Sequence, residues 1–234
     1  MTRPLRTHLS VLQSLVPLAG LAVDIGAGDG GFAARLQATV PGLRAVAVDP
    51  QGALLCAGLA AGVAGVAALG EALPIAGGVA DLALFTNSLH HVPVGAQAAA
   101  LDEAVRVTRP CGHIVVREPL AEGALFELLR PIDDETAVRA AAMDQVDALA
   151  GRGPVRLVAQ QDYDAPTIYR DFAALRAHVV AVDPGRAAAV AAMGPGLEAG
   201  YRAIADPTPD GDRLITPSRI WVFERVAGVP ADRA

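Results

Sequence analysis

Short apolar runs alternate along the chain with longer stretches whose apolar residues recur at helical spacing, the pattern of repeated βα units feeding a parallel sheet. "LAVDI", Leu21 to Ile25, predicts the first strand, and Phe32 to Val40 a helix closed by Pro41-Gly42. "AVAVD", Ala45 to Asp49, predicts the second strand, Gln51 to Ala61 a glycine-weakened helix, and "GVAAL", Gly65 to Leu69, the third strand. "DLALFT", Asp81 to Thr86, is the fourth. Ala96 to Val107 then reads as a helix with Leu101, Ala104, Val105 and Thr108 on one face, and "GHIVVRE", Gly112 to Glu118, as the fifth strand. This repetition predicts a doubly wound α/β fold.

The second half changes character. From Ala124 the chain is mostly helical, broken at Pro131, with a sixth strand expected within Val155 to Tyr169. Two helices, Asp171 to Val182 and Pro184 to Ala205, precede a closing strand, "RIWVFERV", which suggests a late hairpin on the sheet edge. The expected organisation is one domain over residues 1–234, with a core at about 20–120, a helical elaboration at 121–205 and a closing strand at 213–226.

Composition narrows the class. A chain of 234 residues can bury a sizeable core. With 53% hydrophobic but only 4% aromatic residues, Ala, Val and Leu must fill it. All 19 basic residues are arginine, scattered singly in a chain of net charge −6, so no basic stripe points to nucleic acid. Cys56 and Cys111 have no metal-ligand spacing, no metal is expected, and a reducing cytoplasm is the default location. "HLSVLQSLVPLAGLAV", after Arg3 and Arg6, has some look of a signal peptide. Pro17, Gln13 and Ser14 interrupt it, and it flows into a core strand, so a leading helix is expected. No window reaches membrane-spanning length without Gly, Pro or charge.

The chemistry concentrates in "VDIGAGDGGF", Val23 to Phe32, directly behind the first strand. Through Gly26, Gly28 and Gly31 it reads G-x-G-x-x-G, the dinucleotide pattern. Through Asp24, Gly26, Gly28 and Gly30 it reads as the first motif of S-adenosylmethionine (SAM) enzymes. Glycines let backbone approach either ligand closely. The acids lean one way: Asp24 precedes the turn and Asp29 lies near a helix N-terminus, where a carboxylate competes with a pyrophosphate but tolerates a cationic ligand. Asp29 reads equally well as a helix cap. Asp49, at the end of the second strand, is placed to hold ribose hydroxyls, which both cofactors share.

"LGEALPIAGGVADLALFTNSLHHV" strongly resembles the class I SAM-dependent methyltransferases, especially the subgroup with quinone-biosynthesis enzymes. The resemblance lies in Glu71-Ala72-Leu73-Pro74, in Asp81 opening the fourth strand, in Leu89-His90-His91, and in "RVTRPCGHIVVREP". There Arg109 and Cys111 replace the lysine and first glycine of the family's L-K-P-G-G. The resemblance covers about residues 20 to 120. It implies a Rossmann-like sheet of seven strands, mostly parallel with the last antiparallel, and helices on both faces. It implies that Asp24, Gly26, Ala27, Gly28 and Gly30 surround the methionine part of SAM, that Asp49 and Pro50 meet the ribose, that Glu71 and Ala72 meet the adenine region, and that Asn87 walls the pocket. Gly31 is then a small residue where helix and sheet pack closely.

The implied reaction moves a methyl group from SAM, leaving S-adenosylhomocysteine, to a small or medium organic acceptor by in-line displacement. Alignment and water exclusion are the protein's main tasks, and a base is needed only if the acceptor loses a proton. His90 and His91 are candidate bases or acceptor contacts, at most one of them facing the pocket, and Glu118 is a further candidate. Each also reads as structural: a loop-filling histidine or a solvated strand end. The regions Pro119 to Ala150 and Asp162 to Phe172 are where an acceptor pocket is expected; Tyr163 and Tyr169 are candidates to line it but read more simply as aromatic packing. A non-catalytic SAM-binding protein and an NAD(P)-dependent oxidoreductase remain as alternatives.

Overall fold

The computed structural model describes residues 2–227. One sheet runs through it in the order β3-β2-β1-β4-β5-β8-β6, with the short β7 paired to β8 outside that path. The strands are β1 (Leu21–Ile25), β2 (Arg44–Asp49), β3 (Ala64–Ala67), β4 (Ala80–Thr86), β5 (Thr108–Pro119), β6 (Val155–Tyr169), β7 (Asp206–Thr208) and β8 (Gly211–Arg225). The helices are α1 (His8–Leu15), α2 (Gly31–Thr39), α3 (Cys56–Ala60), α4 (Gln97–Val107), α5 (Ala124–Leu129), α6 (Thr136–Leu149), α7 (Phe172–Val182) and α8 (Ala187–Ile204). This is the Rossmann-like α/β architecture expected from the sequence, seven strands along the main path and an antiparallel strand at the end of the chain.

Ala22, Val23, Ile25, Leu82, Ala83, Leu84 and Phe85 are all buried, as central parallel strands covered on both faces require. The register brings the working ends level. Asp24 lies opposite Ala47 on β2 and Leu84 on β4, while Thr86 lies opposite Arg117 on β5. The carboxyl ends of β1, β2, β4 and β5 therefore open on one edge, where a doubly wound sheet binds its ligand.

Several boundaries differ from the sequence reading. Gln51 to Ala61 is a 3-10 turn (Gly52–Leu55) followed by five residues of α3, consistent with the cost of its glycines in a helix. Thr108 is not on the face of α4. It opens β5 opposite Ala80, and a register shift separates that pair from Leu82 and His113. The closing strand begins at Gly211 and pairs antiparallel with β7, Asp206 with Arg213 through Thr208 with Gly211, but β8 lies between β5 and β6 and not on the sheet edge as expected. α8 carries Gly194 in a non-helical conformation ahead of Pro195, so two helical pieces meet there.

The chain divides into two compact units. The larger comprises Leu9–Glu118, Ala140–Gln161 and 219–227, with a core through Val23, Phe85, Leu101, Ile114, Val146 and Trp221. The smaller comprises 2–8, Pro119–Arg139 and Asp162–Ser218, with its own core of Leu175, Val179, Val190, Leu197, Tyr201 and Leu214. Within it, Arg186 donates to Asp133 and to Glu135, each at 2.6 Å, and Tyr201 donates to Asp212 at 2.6 Å. Tyr163 is fully buried with its hydroxyl 2.9 Å from Nδ1 of His8, a packing role rather than the pocket-lining one considered from sequence.

Candidate active site

Asp24 is the least expected group in the larger unit. It lies 1% exposed in the central strand, and neither carboxylate oxygen has a hydrogen-bond partner. Burial first, then repulsion from Asp49 and Asp29, raises its pKa to about 7. A buried, unpartnered carboxylate is costly in isolation and is satisfied by a cation.

The turn that follows is held from β2. Gly26 and Ala27 both donate to Val48 O, at 2.8 and 2.9 Å, and Gly30 caps α2. Gly26 has φ +72°, and a Cβ there would come within 2.5 Å of the Ser88 Cβ. Gly28 has φ +57° but faces open space. Only backbone lines the turn at that point, as a closely approaching ligand needs. Asp49 anchors the tip: Gly28 N–H donates to its Oδ2 and Gln51 N–H to its Oδ1, both at 2.8 Å. Pro50, between Asp49 and Gln51, is exposed. Asp29 accepts from Gly31 N–H at 2.8 Å just ahead of α2, whose N-cap residue is Gly30. Gly31 is not pressed against the sheet; a Cβ there would meet Asp29 Oδ1 of its own turn at 2.9 Å.

The loop after β4 closes over this turn. Asn87 takes φ +55°, a left-handed conformation that asparagine tolerates, and its N–H donates to Arg117 O at 2.8 Å. Its Oδ1 and the Oγ1 of Thr86 are buried without partners, like Asp24. Ser88 Oγ donates to Ile25 O at 2.6 Å, pinning the loop to the start of the glycine turn. His90 is buried, its Nδ1 paired to Oε2 of Glu118, while Leu89 N–H donates to Glu118 Oε1 at 2.9 Å. The rings of His90 and exposed His91 lie 4.0 Å apart, tilted by 42°. Glu118 is therefore not a solvated strand end. It is fully buried, because β5 is an interior strand, and both its oxygens are committed to the loop.

Residues 23–116 match the family model described as a methyltransferase domain. Over this stretch the chain is similar to that family. The match ends at Val116, within β5, so it spans the ends of β1, β2 and β4 and stops short of Glu118. A protein from Mycobacterium sp. (strain KMS) named "Uncharacterized methyltransferase" is 41% identical over 96 residues, covering 40% of this chain and 36% of its own length. The chain thus matches little more than a third of the length of these curated relatives. Among solved structures, a Bacillus halodurans chain provisionally named a methyltransferase aligns with TM-score 0.62 at 16% identity, over 94% of this chain and 99% of its own. The cyclase SpnF aligns with TM-score 0.57 at 16% identity, over 94% and 80%. At these identities the structural likeness shows the methyltransferase fold alone.

The remaining family motifs separate into two kinds. Glu71 is half-buried and Ala72 exposed, on a loop that α4 holds: Leu73 N–H donates to Glu103 Oε2 at 2.8 Å, and Arg106 donates to Leu73 O at 3.0 Å and Ile75 O at 2.9 Å. Glu103 and Arg106 escaped sequence analysis because an acid and a base three residues apart on a helix look like a solvated pair. Asp81, by contrast, sits at the opposite edge of the sheet. It accepts from Leu21 N–H at 2.7 Å and from Arg109 Nε at 2.6 Å, tying β1 and β5 to β4. His113 lies inside β5, and burial lowers its pKa. Among the described residues no helix is long and apolar enough to cross a membrane.

Proposed function

We propose that this protein is a SAM-dependent methyltransferase of small or medium organic acceptors. The observation that carries the reading is Asp24, a buried carboxylate with two unsatisfied oxygens at the strand end ahead of the glycine turn, within a methyltransferase-family stretch. SAM brings a sulfonium and an ammonium, so the residues fit it: Asp24 gains a cation, the open face of Gly28 gives the methionine part close backbone contact, and Asp49 keeps spare lone pairs for the ribose hydroxyls. A dinucleotide pyrophosphate would instead meet Asp24 and Asp29 as repelling charges.

When bound, SAM supplies an electrophilic methyl group. The chain's own residues do the rest. Asp24 and the turn Gly26-Ala27-Gly28-Gly30 fix the methionine part, and Asp49 with Pro50 holds the ribose. Glu71 and Ala72 border the adenine, and Asn87, whose Oδ1 is buried without a partner, walls the pocket. Orientation and exclusion of water are the main contributions such a site makes to methyl transfer. The motif resemblance to quinone-biosynthesis enzymes supports an organic acceptor.

Titration of the purified chain with SAM, S-adenosylhomocysteine and NAD(H) tests the assignment. SAM and S-adenosylhomocysteine are expected to bind and NAD(H) not to. Binding of NAD(H) with no binding of SAM would sink it.

A further inference from the structure

We propose that His90 is the general base of the reaction, that Glu118 is its positioning residue, and that the acceptor is therefore protic, carrying a proton on its attacking atom. This rests on the methyl-transfer reading and deepens it. Glu118 is 0% exposed and His90 5% exposed. An ionised carboxylate only accepts hydrogen bonds. Glu118 Oε1 already accepts from Leu89 N–H, so Oε2 draws the imidazole proton to Nδ1 of His90. The lone pair is then left on Nε2, which has no hydrogen-bond partner among the described residues. The loop that carries it is pinned to the glycine turn by Ser88, two residues away. A ring with one nitrogen locked by a buried acid and the other free is built to take a proton.

The step balances. A lone pair on the acceptor's oxygen or nitrogen forms a bond to the methyl carbon as the methyl–sulfur bond breaks, its electron pair staying on sulfur. The acceptor's proton passes to Nε2, and Glu118 stabilises the resulting imidazolium through Nδ1–H. His90 later returns the proton to water.

Imidazole 15N NMR of the full chain at alkaline pH tests the tautomer without any acceptor. Wild type is expected to carry its His90 proton on Nδ1. In Glu118→Gln the amide oxygen takes the Leu89 N–H, so its NH2 faces the ring and drives the proton to Nε2. A wild-type ring protonated on Nε2 would overturn the proposal.

Kinetics give the second arm, with catechol, a hydroxybenzoate and aniline as protic probes and trimethylamine and dimethyl sulfide as proton-free ones. Methylation is expected among the protic probes. There, His90→Asn and Glu118→Gln should lower kcat by about 10²–10⁴-fold, the usual contribution of a positioned base. KM for SAM should stay unchanged, and Glu118→Asp should recover part of the loss. Protic turnover within threefold of wild type in a folded, SAM-binding His90→Asn protein would overturn the assignment, as would methylation confined to the proton-free probes. Calorimetry separates the two levels: failure of wild type to bind SAM would fault the methyl-transfer reading, while the NMR arm judges the dyad alone.

Discussion

Asp49, at the end of β2, accepts the backbone N–H of Gly28 at 2.8 Å, so an acid from one strand holds the tip of the glycine turn that follows its neighbour. The residue proposed to grip the ribose thus also shapes the wall for the methionine part. Replacing it removes an anchor and a ligand contact together. Asp49→Ala is expected to weaken SAM binding by about tenfold to a hundredfold, the worth of hydrogen bonds to a charged group. Calorimetric titration with SAM checks this, and unchanged affinity would remove Asp49 from the site.

Asp24 makes cofactor binding depend on pH. In the free protein its pKa is raised to about 7, so the folded state keeps a proton that the unfolded state releases near the ordinary value of 3.8. Stability of the free protein therefore falls as pH rises between those two values and levels off above. A cationic ligand prefers the ionised form. Affinity for SAM is expected to climb with pH, by up to about tenfold per unit below 7, and to flatten above it. Asp24→Asn should bind weakly at every pH without that climb.

Gly26 and Gly28 separate folding from binding. A side chain at Gly26 meets Ser88 at 2.5 Å as well as an unfavourable φ, whereas one at Gly28 meets only open space. Gly26→Ala is expected to cost about 3 kcal/mol or more, from strain plus the clash. Gly28→Ala should cost about 1–2 kcal/mol and still fold, but lose SAM binding because its methyl occupies the ligand's approach. Denaturant melts with parallel SAM titrations distinguish the two, and equal stability losses would refute the distinction.

Arg106 acts from a distance on the loop proposed to border the adenine. It donates to the carbonyls of Leu73 and Ile75, and it pairs with Glu103, whose carboxyl its guanidinium holds below the usual range. Arg106→Ala is expected to lower stability by about 1–3 kcal/mol and to weaken binding of adenosine-containing ligands. Comparing S-adenosylhomocysteine with adenosine by calorimetry reads the effect.

Cys111 stands where the family's entry to strand five has its first glycine, and it takes φ +61°. A left-handed non-glycine residue costs about 1–2 kcal/mol, partly offset by the greater freedom of glycine in the unfolded chain. Cys111→Gly is expected to raise stability by up to about 1 kcal/mol with SAM affinity unaltered, measured by denaturant melts of both proteins.

Much of this was legible in one dimension. Apolar runs bounded by glycine located five parallel strands, and β1, β2 and β4 fall within a residue of their expected limits. Strand ends are where such a sheet works, so reading each in turn located Asp24, Asp49, Asn87 and Glu118. What escaped were partnerships across long sequence separations. The Leu73–Ile75 loop depends on Arg106, some thirty residues on, and His90 depends on Glu118, 28 residues on.

The order of strands and helices along the chain, the glycine turn and the kinds of residue at each strand end follow from local periodicity and turn chemistry, which are written in neighbouring residues. What those residues do to one another depends on packing across the sheet. Burial left Asp24 without a partner beside two other acids, and an interior position for β5 put Glu118 beneath the loop instead of in water. Both outcomes are set by which strands flank β1 and β5, since protein packed on every side removes the water that would otherwise solvate a carboxylate.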